Sequence, residues 1–152
     1  TCREVLSGQK KTGKKVIVMG GGYVGCETAF FLAHNGIEVT LVFRSAEPAL
    51  DIQFWENRTH YWNKLKEYGI KVMPQVKYSK ITARGLSLTD KEGKEVFVEA
   101  DNIVLATGAI PDKKLGKALQ GKYLEFAEIG DCVEARRIRE AIEEGTWAAV
   151  LF

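Results

Sequence analysis

Gly20, Gly22 and Gly25 stand at the spacing GxGxxG, directly after the apolar run Val16-Ile17-Val18-Met19. Glycines so spaced do a particular kind of chemistry. The first permits a tight turn. The second lets backbone N–H groups approach a diphosphate. The third lets the following helix pack closely on the strand. A phosphate then lies at a helix N-terminus, where unpaired N–H groups and the helix dipole favour negative charge. Gly21, Tyr23 and Val24 complete the loop and the first helical turn. The spacing alone is a weak signal, and a turn required only for packing would show it too. A strand before it, a helix after it and a second strand beyond make dinucleotide binding the stronger reading. A corner filled by side chains, or one away from the carboxyl edge of a parallel sheet, would defeat it.

The end of the second strand bears on which dinucleotide. A side chain accepting from a ribose 2′-OH is usually acidic there. This chain has Phe43, Arg44 and Ser45. Arg44 can pair with a 2′-phosphate and Ser45 can donate to it, which favours NADP over NAD. Alternatively, Arg44 is a solvated arginine or stacks on the adenine.

These residues need elements to hold them. Lys14–Met19 reads as a strand buried on both faces. Tyr23–Asn35 reads as a helix, with Val24, Thr28, Phe31 and Leu32 on one face and Gly36 ending it. Ile37–Phe43 is a second strand. Asp51 is placed to cap a helix running to Tyr68, along which Trp55, Trp62 and Leu65 repeat. Ile70–Met73 is a short strand limited by Pro74. From Val76 to Glu99 the period becomes two, with a turn at Asp90–Lys94, which predicts a three-stranded antiparallel meander. Ile103–Ala106 returns as a buried strand. Pro111–Gly121 is a helical or irregular link, Tyr123–Ile129 a strand, and Val133 to about Leu151 a helix. The fold class is α/β: a Rossmann-type dinucleotide-binding domain, its parallel sheet wrapped by helices, with the antiparallel β-meander as a crossover.

Composition excludes several other classes. The chain has 152 residues, 45% of them apolar, enough for one core. Twenty-two basic and 20 acidic residues leave a formal charge of +2, which points to neither nucleic acid nor an anionic membrane. No segment reaches the roughly 18–20 continuous apolar residues of a membrane helix. Cys2, Cys26 and Cys132 are scattered, so no zinc site or disulfide framework is indicated, and a reducing cytoplasmic setting follows. Cys26 reads as a buried filler. The basic stretch around Lys10–Lys15 reads as a solvated linker.

The run Val16–Glu27 resembles the NAD(P) domain of the FAD-dependent pyridine nucleotide oxidoreductases. Val104-Leu105-Ala106-Thr107-Gly108 with Pro111 is similar to that family's ATGxxP signature, and Ile129-Gly130-Asp131 to its late GD motif. Together these cover nearly the whole chain in order. The tail from Gly130 through Arg136-Arg137 to Gly145 is most similar to the C-terminal part of 2,4-dienoyl-CoA reductase, trimethylamine dehydrogenase and NADH:flavin oxidoreductase (old yellow enzyme-like) proteins.

By that resemblance Tyr23 would lie near the flavin ring, shielding it until nicotinamide displaces it; otherwise Tyr23 simply packs at the helix start. Glu27 would face the nicotinamide carboxamide, or complement the helix dipole as a first-turn glutamate. Ala106-Thr107-Gly108 would pass close beside the bound cofactor, unless Gly108 merely ends a strand. Gly130 and Asp131 would meet the hydroxyls of FAD. The FAD fingerprint itself would lie upstream of Thr1, so FAD belongs to the full-length parent. The resemblance also implies a barrel with FMN and an iron–sulfur cluster in that missing part.

The chain is therefore expected to comprise a linker (1–14), an NAD(P)-binding domain (15–112) and a segment (113–152) that completes the FAD domain of a parent. It would position nicotinamide for hydride transfer to FAD, without catalytic residues of its own, and would be inactive in isolation. The alternative is a non-catalytic ADP/NAD(P)-binding structural or regulatory module. A homodimer through the apolar strand and the Trp147–Phe152 end is a further expectation.

Overall fold

The structure is a computed structural model that describes residues 1–51, 55–123 and 126–151, with side chains for all but 55–57. The chain divides into two compact units, Thr1–Thr107 and Gly108–Phe152.

The first unit is built on a parallel four-stranded sheet ordered β3-β2-β1-β7, from β1 (Lys15–Met19), β2 (Glu38–Val42), β3 (Lys71–Met73) and β7 (Asn102–Leu105). Residue alternation along β1 explains why it is apolar throughout. Val16 and Val18 point to one face and Ile17 and Met19 to the other, and both faces are covered. On the first face lie α2 (Tyr23–His34) and α3 (Trp55–Glu67), with Leu32 and Leu65 buried. On the second lie Leu86, Leu88 and Val98 of the antiparallel sheet β4-β5-β6 (Lys77–Thr82, Gly85–Thr89, Glu95–Glu99). That sheet is the expected meander. Its turn closes through the Asp90 carboxylate, which accepts from the Glu92 and Lys94 N–H groups, and through Gly93 at φ +83°.

Several expectations need correction. The buried residues of α2 are Gly25, Cys26, Thr28, Ala29 and Leu32, while Val24 and Phe31 are 49% and 44% exposed. Close approach to β1 requires the smallest residues inward, so Gly25 sets the rotation of the helix. Residues 1–14 are more than a solvated linker. They include α1 (Cys2–Leu6), whose Cys2 and Val5 pack against the core. A capping box between Thr1 and Glu4 starts that helix.

In the second unit, α4 (Lys114–Leu119) lies within the expected link, a 3₁₀ turn spans Gly130–Cys132, and α5 (Ile138–Leu151) starts five residues later than expected. Tyr123 and 126–129 are not in a strand, contrary to expectation; 124 and 125 lie outside the described residues. A strand needs a neighbour to take its N–H and C=O groups, and no described strand lies beyond β7. Phe54, which the sequence groups with Trp55, Tyr61 and Trp62 as an aromatic set, also lies outside the described residues.

Candidate functional site

The glycine loop leaves β1 at the carboxyl edge of the parallel sheet. There β1 is flanked on one side by β2, reached through α2, and on the other by β7. A strand order that diverges in this way opens a crevice at the strand ends. Gly20 sits at φ +118°, and a side chain there would drive into the Ala106 carbonyl of β7's end. A side chain at Gly21 would meet the Phe43 ring, and one at Gly25 would meet the Gly20 carbonyl. The loop is thus packed against the ends of both neighbouring strands, and no side chain larger than hydrogen fits. Hydrogen bonds fix the same corner, from Gly20 N–H to the Val42 carbonyl (2.9 Å) and from Ala106 N–H to the Met19 carbonyl (2.8 Å).

Beyond the loop, α2 begins with Gly22 as its N-cap, which has no side chain to cap the helix. The N–H groups of the first turn have no intrahelical acceptor. Tyr23 N–H donates instead to both oxygens of Asp51, at 2.9 and 3.0 Å. Asp51 Oδ2 would stand 3.1 Å from a side-chain carbon placed on Gly22. Ala49 N–H donates to the Gly21 carbonyl at 2.6 Å, with Ala49 fully buried at φ +55°. The loop after β2 therefore lies on the glycine loop and brings one carboxylate into its corner. The corner lies at the carboxyl edge of the sheet, and one of its amides is taken by Asp51. Asp51 was assigned from sequence to the next helix, and here it accepts from the first turn of α2. What could have revealed the contact is the glycine N-cap itself, which needs a side chain from elsewhere.

Tyr23 is 44% exposed, and its ring lies 5.6 Å from that of Tyr61 on α3. From Tyr61 the aromatic contacts continue through Phe30 to Tyr68. Burial foremost, then the Tyr23 hydrogen bond, raises the Tyr61 hydroxyl above the usual phenol range. Glu27 is exposed on α2, and Val24 beside it is half-exposed. Cys26 is fully buried under the same turn, and desolvation pushes its thiol up to about 12, with the charges of Asp51 and Glu27 adding to the rise. That agrees with a filler and not with a reactive thiol.

At the end of β2, Phe43 is buried while Arg44 is exposed. Arg44 acts electrostatically on the Tyr78 hydroxyl, which burial raises and Arg44 lowers. Tyr78 donates to the Val42 carbonyl at 3.1 Å, a neighbour absent from the sequence reading. Ser45 Oγ donates to the Glu47 carbonyl at 2.8 Å, so its proton is already engaged. Ala106 is half-buried and Thr107 exposed at the end of β7. An open depression lined by Lys14, Arg84, Glu99 and Asp101 lies by the amino end of β1, the wrong edge for a ligand in an open α/β sheet.

The remaining candidates belong to the second unit. Gly108 is exposed at φ +100°. Gly130 N–H donates to Glu144 of α5 at 2.6 Å, and Glu144 pairs with Arg136. These contacts, the Gly130 amide first, hold the Glu144 carboxyl below its ordinary range. The exposed Asp131 carboxylate accepts from Arg136 N–H at 3.3 Å. No group of His, Cys, Asp and Glu suited to a metal occurs among the described residues, and no described helix is long and apolar enough to cross a membrane.

Known proteins share this arrangement. A model of the pyridine nucleotide-disulphide oxidoreductase family matches residues 1–145. The chain is 34% identical over 145 residues to an NADH oxidase of Thermoanaerobacter brockii, covering 93% of this chain and 22% of that protein. A bilirubin reductase of Mediterraneibacter gnavus is 35% identical over 147 residues, covering 96% of this chain and 23% of that protein. The solved complex of 2-naphthoyl-CoA reductase superposes with a TM-score of 0.86 at 32% identity, over 94% of this chain and 22% of its own. The chain thus spans less than a quarter of each of these three proteins, and the family expected from its motifs is the one found. The chain belongs to the pyridine nucleotide-disulphide oxidoreductase family.

Proposed function

We propose that this chain binds NAD(P)H at the glycine loop and presents the nicotinamide for hydride transfer to FAD in the full-length enzyme. The observation that carries the reading is the packing of Gly20 and Gly25 against the strand ends at the carboxyl edge of the sheet. It aims the first turn of α2 into the crevice where a diphosphate is bound in such folds. We assign Ala106 and Thr107, just after β7, and Tyr23 and Glu27, exposed on α2, to contacts with the bound cofactor. The protein's contribution is position and charge, since the hydride chemistry belongs to the cofactors.

NADP is the favoured form. Arg44 is exposed and free to turn toward a 2′-phosphate, whereas the Ser45 proton is committed to Glu47. Arg44 therefore carries the preference. Titration of the chain with NADPH and NADH should show NADPH bound more tightly, with Arg44→Ala costing about tenfold or more for NADPH alone. Tighter NADH binding, indifferent to Arg44→Ala, would defeat the preference. In the full-length protein, anaerobic NADPH should bleach the FAD absorbance; binding without bleaching would support a structural nucleotide module instead.

The rest of the proposal concerns the parent. Most of each relative's length lies outside the match. We assign to that remainder the FAD fingerprint, and a barrel with FMN and an iron–sulfur cluster. Gly108, Gly130 and Asp131 would meet FAD there. The setting is cytoplasmic, in keeping with three free thiols. In the isolated chain, the exposed apolar side chains of α5 form a contact between two copies.

A further inference from the structure

We propose that Asp51 sets the affinity of the glycine loop for nucleotide, standing as a resident anion on the amide face that a diphosphate uses; this rests on the dinucleotide reading above. Gly22 gives α2 an N-cap with no side chain. Asp51 supplies the missing acceptor from 28 residues away, taking Tyr23 N–H on both oxygens. Its presence there is built into the fold. The Ala49 N–H clasp on Gly21, in a left-handed conformation uncommon for alanine, holds the loop that delivers it. Beneath the same turn, burial chiefly raises the Cys26 thiol, and the charges of Asp51 and Glu27 add to the rise.

A helix N-terminus favours an anion, and in the empty chain Asp51 is that anion. It satisfies the orphan amide and keeps the glycine loop in its binding shape. A diphosphate arriving at the same turn meets a fixed negative charge within a few ångströms. It must either take Tyr23 N–H from Asp51 or bind beside the carboxylate. Both routes subtract from affinity, by an amount that grows with the charge of the ligand. The residue therefore discriminates against more highly charged phosphates as well as weakening binding.

Asp51→Asn tests this, because asparagine keeps the size and an acceptor oxygen but loses the charge. Binding of 5′-ADP and 5′-AMP by calorimetry is compared in wild type, Asp51→Asn and Asp51→Ala, with Glu95→Gln on the antiparallel sheet as a remote control of equal charge change. The expected result is about tenfold tighter 5′-ADP binding in Asp51→Asn at low salt, a smaller gain for 5′-AMP, and a gain that shrinks as salt rises. Asp51→Ala should bind more tightly than wild type too. In Asp51→Ala without ligand, Tyr23 amide exchange should quicken. Equal or weaker ADP binding by Asp51→Asn, or an equal gain from Glu95→Gln, overturns the proposal while leaving the dinucleotide reading intact. If neither wild type nor the Asp51 variants bind ADP, both fall. Binding by Asp51→Asn alone would support both.

Discussion

At the residue scale, the corner beneath α2 tests how burial and charge combine. Cys26 is fully buried, with its thiol pushed up to about 12 from an ordinary value of 9.0, by desolvation first and then by the charge of Asp51. The sign follows from which state binds the proton. In the unfolded chain the thiol ionises near pH 9; in the folded chain it does not until about 12. Its contribution is therefore fully present below pH 9 and is lost as pH rises toward 12. The slope over that window is about 1.4 kcal/mol per pH unit for one such group. Tyr61 and Tyr78 are shifted upward as well and act in the same direction, but only above the phenol range. Urea denaturation at pH 8, 9 and 10 should show stability falling between the last two, and Cys26→Ala should flatten that fall. A slope unchanged in Cys26→Ala would show that the thiol is not the group titrating. This residue was legible from sequence as filler, because a small apolar side chain one position after Gly25 has nowhere to go but the core. Asp51 was not. Its partner is 28 residues distant, and an acidic residue ahead of a helix reads locally as that helix's own cap.

At the element scale, the strands of the parallel sheet and the meander were readable because burial on two faces and burial on one face leave different periods. The rotation of α2 was misread. Val24, Thr28, Phe31 and Leu32 also form a helical stripe, and hydrophobicity alone prefers the larger residues. Backbone contact decides otherwise: the helix approaches β1 through Gly25, so Thr28, Ala29 and Leu32 follow it inward. Thr28 is tolerated there since its hydroxyl donates to the Val24 carbonyl at 2.7 Å. Gly25→Ala should thus act on the whole element. Its methyl group meets the Gly20 carbonyl, so α2 must shift away from the sheet and disturb the turn at Gly20. The expected cost is about 1–3 kcal/mol by urea denaturation, with loss of ADP binding. A variant of native stability that still binds ADP would mean that the close approach is not required.

At the scale of the whole molecule, the two units differ in what holds them. Residues 1–107 bury both faces of a sheet. Among the described residues of 108–151, none is buried. The second unit relies on polar clasps, such as Glu144 with Gly130 and Arg136, and leaves Ile138, Trp147, Val150 and Leu151 more than two-thirds exposed on α5. Composition could not separate these cases, because the apolar residues are present in both halves and only the partner surface is missing from one. An apolar set of this size on a short helix needs cover. In the full-length protein we assign that cover to the remainder of the chain, and in the 152-residue chain to a second copy. Sedimentation should then show a concentration-dependent dimer, and Trp147→Glu should shift it toward monomer without altering ADP binding, since the glycine loop belongs to the first unit. Monomer alone at about 100 μM, where contacts of even modest strength are populated, would refute association. It would leave the exposed side of α5 to the absent part of the parent, where added FAD domain supplied in trans should bind the chain and protect Trp147 from quenching by acrylamide.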